Sequence, residues 1–139
     1  MYKRIVLAVD GSKNALRATD EAVKIASLIP ECKIEVVYVA DFSKTKNEIL
    51  HSQGKEALDF TRRKRLSPVE DKIKLKNIAY EIKIFHGDPG PTIIEYANKE
   101  KVDWVVIGSR GLNTLQEMVL GSVSHKVVKR VDCPVLVVK

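Results

Sequence analysis

The sequence predicts an α/β fold in which helices cover both faces of a parallel β-sheet. Two observations support this prediction. Short runs of Val, Ile and Leu alternate with segments of helical spacing along all 139 residues, and each apolar run is nearly continuous, which is typical of strands buried on both sides. The length suits one unit with its own core, so we expect residues 1–139 to form a single domain.

The first βαβ unit is predicted from a strand, a breaker and a helical stripe. The strand Lys3–Val9 ends at Asp10-Gly11-Ser12, where the spacing of apolar residues changes to that of a helix. The face of this helix is formed by Ala15, Ala18, Ala22, Ala26 and Ile29. Pro30 ends the helix, and residues 33–39 form the second strand, close to Asp41.

The middle of the chain, residues 43–77, is predicted to be helical with one break. Its spaced apolar residues are Ile49, Leu50, Ala57 and Leu58. Ser67-Pro-Val-Glu70 has the Ser and Glu of a capping box with Pro at the first helical position, so we expect a new helix to begin there.

The second half of the chain continues the same alternation. Residues 79–85 form the third strand, residues 87–91 a turn, and Pro91 opens a helix with Ile94 and Ala97 on its inner face. The fourth strand, residues 102–107, leads into Gly108. The last helix carries an apolar stripe, and the fifth strand is residues 134–138. The stripe consists of Val123, Val127, Val128 and Val131.

Composition narrows the class of protein. No apolar run approaches the ~20 residues of a membrane-spanning helix, and the chain enters a strand without a signal peptide, so we expect a cytoplasmic protein.

Cys32 and Cys133 form no CxxC pair and are expected to be reduced core residues. Residues 55–76 hold eight basic and four acidic side chains, +4 of the net charge of +6. This segment is either a solvated helix face or a surface for an acidic partner.

The most informative motif is Gly108-Ser-Arg-Gly111, followed after nine residues by Gly121-Ser122. Glycine lets backbone N–H groups approach an anion closely, and the start of the following helix adds donors without helical partners. The motif therefore favours a phosphorylated small molecule as ligand. The alternative, that these glycines only turn the chain and cap a helix, is equally compatible with the motif alone.

Several enzyme classes lose support from missing signatures. The chain has no Walker A motif, no GxGxxG after its first strand and no GxSxG, which argues against dinucleotide-dependent hydride transfer and acyl transfer. His51, His86 and His125 are isolated from one another and from cysteine, so zinc is not expected.

Three kinds of side chain near the motif could touch a ligand. Asp10, at the end of the first strand, could face a ribose or a metal ion, or it could cap the first helix together with Ser12. Arg110 could supply positive charge to phosphate oxygens or point to solvent. Ser122 and Ser124 offer hydroxyl and N–H groups at the start of the last helix.

Taken together, Val6-Leu-Ala-Val-Asp-Gly-Ser12, the glycine motif and the closing Cys133-Pro-Val-Leu-Val-Val138 closely resemble the universal stress protein family, in its ATP-binding subgroup. The resemblance covers essentially the whole chain. It implies a doubly wound, Rossmann-like sheet of five strands in the order 3-2-1-4-5. Family members usually have one long helix where Ser67-Pro68 predicts an interruption here.

The resemblance also implies a ligand and a set of site residues. ATP would lie across the carboxyl ends of the first and fourth strands, with Asp10 near the ribose and phosphates. Mg²⁺ or Mn²⁺ would accompany the nucleotide and bridge its phosphates; its protein ligands are left open, and Asp10 could contact it through Mg-ATP. The nucleoside would be flanked by Ala8, Val9 and Asp10, with adenine at the main chain of Val39. The phosphates would be held by Gly108, Arg110, Gly111, Gly121, Ser122, Val123 and Ser124. A homodimer would form through the last strand, Val135–Val138.

The expected function is an ATP-dependent regulatory or stress-response switch with little or slow hydrolysis, acting on a protein partner that the sequence does not identify. Two alternatives are kept. An ATP-dependent adenylating or hydrolytic enzyme would be supported by an SGGxDS or HIGH signature, and neither occurs. A nucleic-acid or protein-binding module would use the basic residues Arg62–Arg65, and we rank it last.

Overall fold

A computed structural model of the protein describes residues 3–41, 55–110 and 120–139. Within these ranges five strands and four helices alternate along the chain. In order they are β1 (Arg4–Val9), α1 (Lys13–Leu28), β2 (Lys33–Asp41), α2 (Lys55–Leu75), β3 (Ala79–Gly87), α3 (Pro89–Glu100), β4 (Trp104–Gly108), α4 (Ser122–Arg130) and β5 (Val135–Val138).

The strands form one sheet in the order β3-β2-β1-β4-β5, and every pair is parallel. This confirms the expected order. β1 lies at the centre, where Val9 is in register with Tyr38 of β2 and Ala8 with Ile107 of β4. The winding reverses between β1 and β4, so the carboxyl ends of these two strands border the crevice in which ligands bind in open α/β sheets.

Two apolar layers lie between the sheet and its helices, one on each face of the sheet, as a doubly wound sheet requires. Ile5 and Leu7 of β1 face the layer that holds α1 and α2, whereas Val6 faces the layer that holds α3 and α4. All three side chains are fully buried. The near-continuous apolar run of β1 is therefore explained by burial on both sides.

Helix α1 follows the predicted alanine pattern. Ser12 is its N-cap, and the Ser12 hydroxyl accepts a hydrogen bond from the backbone N–H of Ala15 over 3.1 Å. The buried face contains Ala15, Ala18, Thr19, Ala22, Val23 and Ala26. The helix ends at Leu28, and the N–H of Ile29 bonds back to the carbonyl of Ala26 just before Pro30.

The predicted break at Ser67-Pro68 is wrong, because α2 runs without interruption from Lys55 to Leu75. A proline inside a helix removes one hydrogen bond and costs about 3 kcal/mol. Here Leu66, Val69 and Ile73 are buried on both sides of the proline, at 5%, 1% and 0% exposure. Each such side chain contributes about 1.5–3 kcal/mol, so their burial outweighs the cost.

The predicted start of α3 at Pro91 is also wrong by two residues. The helix begins at Pro89, after the N-cap Asp88, and a proline in this first position loses no helical hydrogen bond. Its inner face is formed by Ile93 and Ala97, at 4% and 2% exposure. Ile94 is half-buried beside them and packs against the same layer.

A buried carboxylate joins three elements at the amino end of the sheet. The guanidinium of Arg4 donates to both carboxylate oxygens of Glu35, over 2.9 and 3.0 Å, and the hydroxyl of Tyr96 donates to the same carboxylate. Burial raises the pKa of Glu35, but these hydrogen bonds and the charge of Arg4 outweigh it, so the pKa lies below its ordinary value. The network connects β1, β2 and α3.

Neither Cys32 nor Cys133 forms a disulfide; Cys32 is buried and Cys133 half-buried, and burial raises the pKa of both thiols. Both therefore favour the unreactive thiol form. Separately, no helix in the described ranges is long and apolar enough to cross a membrane.

Candidate functional site

The candidate site lies where the carboxyl ends of β1 and β4 meet the start of α4. Ala8 is in register with Ile107, so Val9 and Asp10 follow on one side of the crevice and Gly108 and Ser109 on the other. The backbone N–H of Ser109 donates to the carbonyl of Val138 over 2.7 Å, which holds the end of β4 against β5.

The carbonyl of Ser109 connects the end of β4 to the start of α4. It accepts from the backbone N–H of Gly121 over 2.6 Å and from the hydroxyl of Ser124 over 2.8 Å. Ser109 and Ser124 are buried, at 3% and 2% exposure. These bonds bring Gly108 and the predicted residues 121–124 together, although twelve residues separate Gly108 from Gly121.

Gly108 is required by the close approach of α1. A β-carbon at this position would lie 2.9 Å from the β-carbon of Asn14 and 3.0 Å from its backbone carbonyl carbon. Those atoms belong to a helix and cannot rotate away. The side-chain amide of Asn14 also donates to the hydroxyl of Ser109 over 3.2 Å, so α1 helps to fix the end of β4.

The start of α4 has the features of an anion site. Its N-cap is Gly121, with extended backbone at φ −71° and ψ 168° and no side-chain cap, whereas α1 is capped by the Ser12 hydroxyl. The first-turn N–H groups of a helix have no helical acceptor and carry partial positive charge. Ser122, the first residue of α4, is exposed, and an acceptor from outside the helix can therefore approach this turn.

Asp10 shapes the turn that follows β1. Its Oδ1 accepts from the backbone N–H of Ser12 over 2.9 Å, as in an Asx turn. Gly11, between them, has φ +90°, a conformation that L side chains rarely adopt. The carboxylate is only partly buried, so Asp10 forms the turn and still borders the crevice.

The remaining predicted site residues differ in what they can offer. Ala8 and Val9 are buried in opposite layers at 5% and 6% exposure, so only their main chain can meet a ligand. Val39, near the end of β2, is half-buried, as are Arg110 and Val123. The predicted residue Gly111 lies outside the described residues.

Sequence reasoning missed four residues that support the site. Ser109 and Asn14 join the end of β4 to α1. Arg65 of α2 contacts Gly11 and donates from Nη1 to the hydroxyl of Tyr38 over 2.8 Å. Ser109 could have been suspected from its place between Gly108 and Arg110, but contacts between distant segments leave no periodic signal.

A cleft of about 450 Å³ lies between α1 and α2, beside the same turn. It is lined by Gly11, Ser12, Ala15, Leu16, Phe60, Thr61, Lys64, Arg65, Pro68 and Val69. Part of the positive charge of α2 is engaged in contacts within the chain, since Lys72 pairs with Asp20 over 2.9 Å at the surface. Arg65 is likewise engaged with Tyr38.

Metal-binding potential is limited among the side chains that can be described. Over residues 3–41, 55–110 and 120–139 there is no group of three or more His, Cys, Asp or Glu side chains that could hold a metal ion. Asp10 is the carboxylate that the sequence predicts at this crevice, and it is partly buried there.

Comparisons of the sequence and of the structure with known proteins point to the same family. Residues 1–139 match the model of the universal stress protein family. The universal stress protein MJ0531 of Methanocaldococcus jannaschii is 33% identical, over 100% of this chain and 83% of that protein. The solved structure of MJ0577 from the same organism has a TM-score of 0.84 at 28% identity, covering 100% of this chain and 96% of that one. A universal stress protein in complex with cAMP has a TM-score of 0.71 at 27% identity, covering 99% and 97%.

Proposed function

Because this chain belongs to the universal stress protein family, we propose that its single domain, residues 1–139, binds ATP and acts as a nucleotide-dependent switch in a stress response. The observation that carries the proposal is the double hydrogen bond at the carbonyl of Ser109, which brings the start of α4 to the end of β4. Anion-binding N–H groups then lie at the crevice where the winding of the sheet reverses. The cAMP complex of a similar protein supports adenine nucleotides as the ligand class.

In this proposal the phosphates meet the start of α4. The main chain and hydroxyl of Ser122 are accessible there, and the N-cap Gly121 leaves room for close approach. The other phosphate contacts are Gly108, Arg110, Gly111, Val123 and Ser124. Since the Ser124 hydroxyl is engaged by Ser109 and Gly121, Ser124 would contribute its backbone N–H.

The nucleoside half would lie over β1 and β2. Ala8 and Val9 are buried, so they would contact the nucleoside through the main chain, and Val39 would meet adenine in the same way. Asp10 would accept from the ribose hydroxyls. Mg²⁺ or Mn²⁺ would be bound through the phosphates and would neutralise part of their charge.

A switch is favoured over an enzyme by the groups around the phosphates. The chain has no P-loop lysine, and one oxygen of Asp10 is already used by the N–H of Ser12. A lysine that would stabilise phosphoryl transfer is therefore missing, and Asp10 is not arranged to activate water. We therefore propose that the bound nucleotide is hydrolysed slowly or not at all.

The switch would act in a homodimer formed through β5. The other edge strand, β3, carries Glu81 and Lys83, which pair with each other over 3.3 Å, and charges protect a sheet edge from pairing. β5 has the sequence Val-Leu-Val-Val and pairs with β4 on one side. A second copy of β5 would cover this apolar edge. The cytoplasmic location stays a prediction.

Two measurements test the proposal. Equilibrium titration with ATP, ADP, AMP, cAMP and GTP should give saturable binding of adenine nucleotides and no comparable binding of GTP. Release of inorganic phosphate, followed at saturating Mg-ATP, should be far slower than one turnover per second, the low end of ordinary enzymes. Absence of adenine-nucleotide binding contradicts the switch, and fast turnover favours the enzyme instead.

A further inference from the structure

Arg65 of α2 connects the two strand ends that the proposed nucleotide would touch. Its aliphatic stem packs over Gly11, because a β-carbon placed on Gly11 would lie 2.9 Å from Cγ and 3.1 Å from Cδ of Arg65. Its Nη1 donates to the hydroxyl of Tyr38 over 2.8 Å. One side chain therefore contacts the turn after β1 and a residue near the end of β2.

The two contacts of Arg65 involve a buried hydroxyl and a turn that hydrogen bonds hold in place. Tyr38 is 5% exposed, so its hydroxyl has little access to water and depends on a protein partner. Gly11 has φ +90°, and the turn around it is held by the bond from the Ser12 N–H to Asp10 and by the bond from the Ala15 N–H to Ser12. The Arg65 stem lies against Gly11 in the middle of this turn.

We propose that Arg65 is a positioning residue that holds the Asp10-Gly11-Ser12 turn against the end of β2 in the shape that binds a nucleotide. The inference rests on the proposed function, in which Asp10 meets the ribose and Val39, next to Tyr38, meets the adenine. A turn fixed before the ligand arrives costs less to order on binding. In this proposal Arg65 acts through the turn and does not itself contact base or phosphate.

Arg65 and its neighbour Lys64 both line the cleft between α1 and α2, where Phe60 is 62% exposed. Lys64 therefore shares the helix and the cleft with Arg65, and no contact of Lys64 with Gly11 or Tyr38 is recorded among the described residues.

The test compares variants that break the contact between Arg65 and Tyr38 with a control that removes the same charge as Arg65→Met. Arg65→Met keeps an unbranched stem over Gly11 and removes the hydrogen bond to Tyr38, and Tyr38→Phe removes the same bond from the other side. Lys64→Met is the control, since it removes one positive charge from the adjacent position of the same helix. Mg-ATP affinity is measured by calorimetry for these variants and for the double variant Arg65→Met/Tyr38→Phe.

We expect Arg65→Met and Tyr38→Phe each to weaken ATP binding about fivefold, which corresponds to one hydrogen bond. The double variant should be no weaker than the weaker single variant, because both changes remove one shared contact. Lys64→Met should stay within about twofold of the unchanged protein. Equal affinities of Arg65→Met and Lys64→Met, or losses that multiply in the double variant, overturn the inference.

A second measurement needs no nucleotide. Amide hydrogen exchange at Ser12 and Ala15 reports the two bonds that hold the turn. Exchange should be several-fold faster in Arg65→Met and unchanged in Lys64→Met. If the unchanged protein fails to bind ATP, the proposed function is wrong, and this exchange still decides whether Arg65 holds the turn. Unchanged exchange in Arg65→Met overturns the positioning role as well.

Discussion

The hydroxyl of Ser124 donates to the carbonyl of Ser109 over 2.8 Å, inside the protein and fifteen residues away along the chain. The same hydroxyl lies 3.1 Å from the carbonyl of Gly121. Ser124 therefore stabilises the place where α4 starts beside β4. The family resemblance implies that Ser124 helps to hold the phosphates, and in the structure its hydroxyl is occupied by the main chain.

Replacing Ser124 with Ala should destabilise the protein. The substitution removes a buried hydrogen bond, and the Ser109 carbonyl keeps its bond from the Gly121 N–H, so the expected loss is about 1 kcal/mol. The free energy of unfolding in urea measures this loss. Ser122→Ala is the matched control, because Ser122 is exposed and its replacement should change the free energy by less than about 0.5 kcal/mol. Equal effects of the two changes would show that the buried bond contributes nothing.

The close approach of Gly108 to α1 gives a second prediction. Gly108→Ala places a methyl group 2.9 Å from the β-carbon of Asn14 and 3.0 Å from its backbone, and overpacking of this kind costs about 1–3 kcal/mol. The midpoint of thermal unfolding should fall by several degrees.

Gly90→Ala provides the comparison for Gly108→Ala. A β-carbon at Gly90 would lie 3.0 Å from Cδ of Lys126, the flexible part of a side chain that can move. Gly90 lies in α3, where alanine is favoured over glycine by up to about 1 kcal/mol. This variant should be as stable as the unchanged protein or more so, and a loss equal to that of Gly108→Ala would count against the packing argument.

Acid should remove the stabilisation that Glu35 provides. The folded-state pKa of Glu35 lies below its ordinary value of 4.5, which applies to the unfolded chain. The contribution is therefore complete above pH 4.5 and is lost as the pH falls through the lower folded-state value. Glu35→Gln should cost about 2–3 kcal/mol at pH 7, because it removes charge-assisted bonds from Arg4.

The measurement is the urea midpoint of both proteins at pH 7, 5, 4 and 3. The gap between them should be constant down to about pH 5 and should narrow below it. Glu81→Gln is the control, since Lys33 and Lys83 also lower the pKa of Glu81 but its side chain is exposed to solvent. A gap for Glu35→Gln that does not depend on pH would contradict the role of its charge.

The β5 edge predicts the behaviour of a proline variant. The carbonyls of Pro134 and Val138 accept from β4, so the N–H of Val137, an odd number of residues from both, points away from the sheet. Val137→Pro should keep β5 paired with β4 and remove a donor from the outer edge. Analytical ultracentrifugation should find a dimer for the unchanged protein and a shift toward monomer for the variant. A monomer in both cases would contradict the dimer proposal.

The strands and their order were predictable because each leaves a local signal or belongs to a recognisable family pattern. Val6 and Leu7 lie in opposite layers and are both apolar, which is the pattern of a central parallel strand. The break at Pro68 was predicted wrongly because a local rule was applied without the burial of Val69 and Ile73, which only the packed structure provides.

In the candidate site, the sequence marked the ends of the elements but not the contacts between them. Gly108 and Gly121 marked the end of β4 and the start of α4, and the structure brings both to Ser109. Asn14 contacts Ser109, which is 95 positions further along the chain. Arg65 contacts Gly11, which is 54 positions before it. Such contacts depend on how the helices pack, and no pattern in the sequence reports them.

The central claim is that nucleotide phosphates bind at the start of α4. Its most direct test is the affinity for Mg-ATP of Ser122→Asp, measured by calorimetry beside Ser122→Ala. A carboxylate in the first turn of α4 stabilises the helix by about 0.3–1 kcal/mol, but it repels phosphates proposed to bind there. We predict unchanged or raised stability, at least tenfold weaker ATP binding for Ser122→Asp, and a small loss for Ser122→Ala. If Ser122→Asp binds ATP as tightly as the unchanged protein does, or if the unchanged protein does not bind ATP, the start of α4 is not a phosphate site and the account is wrong.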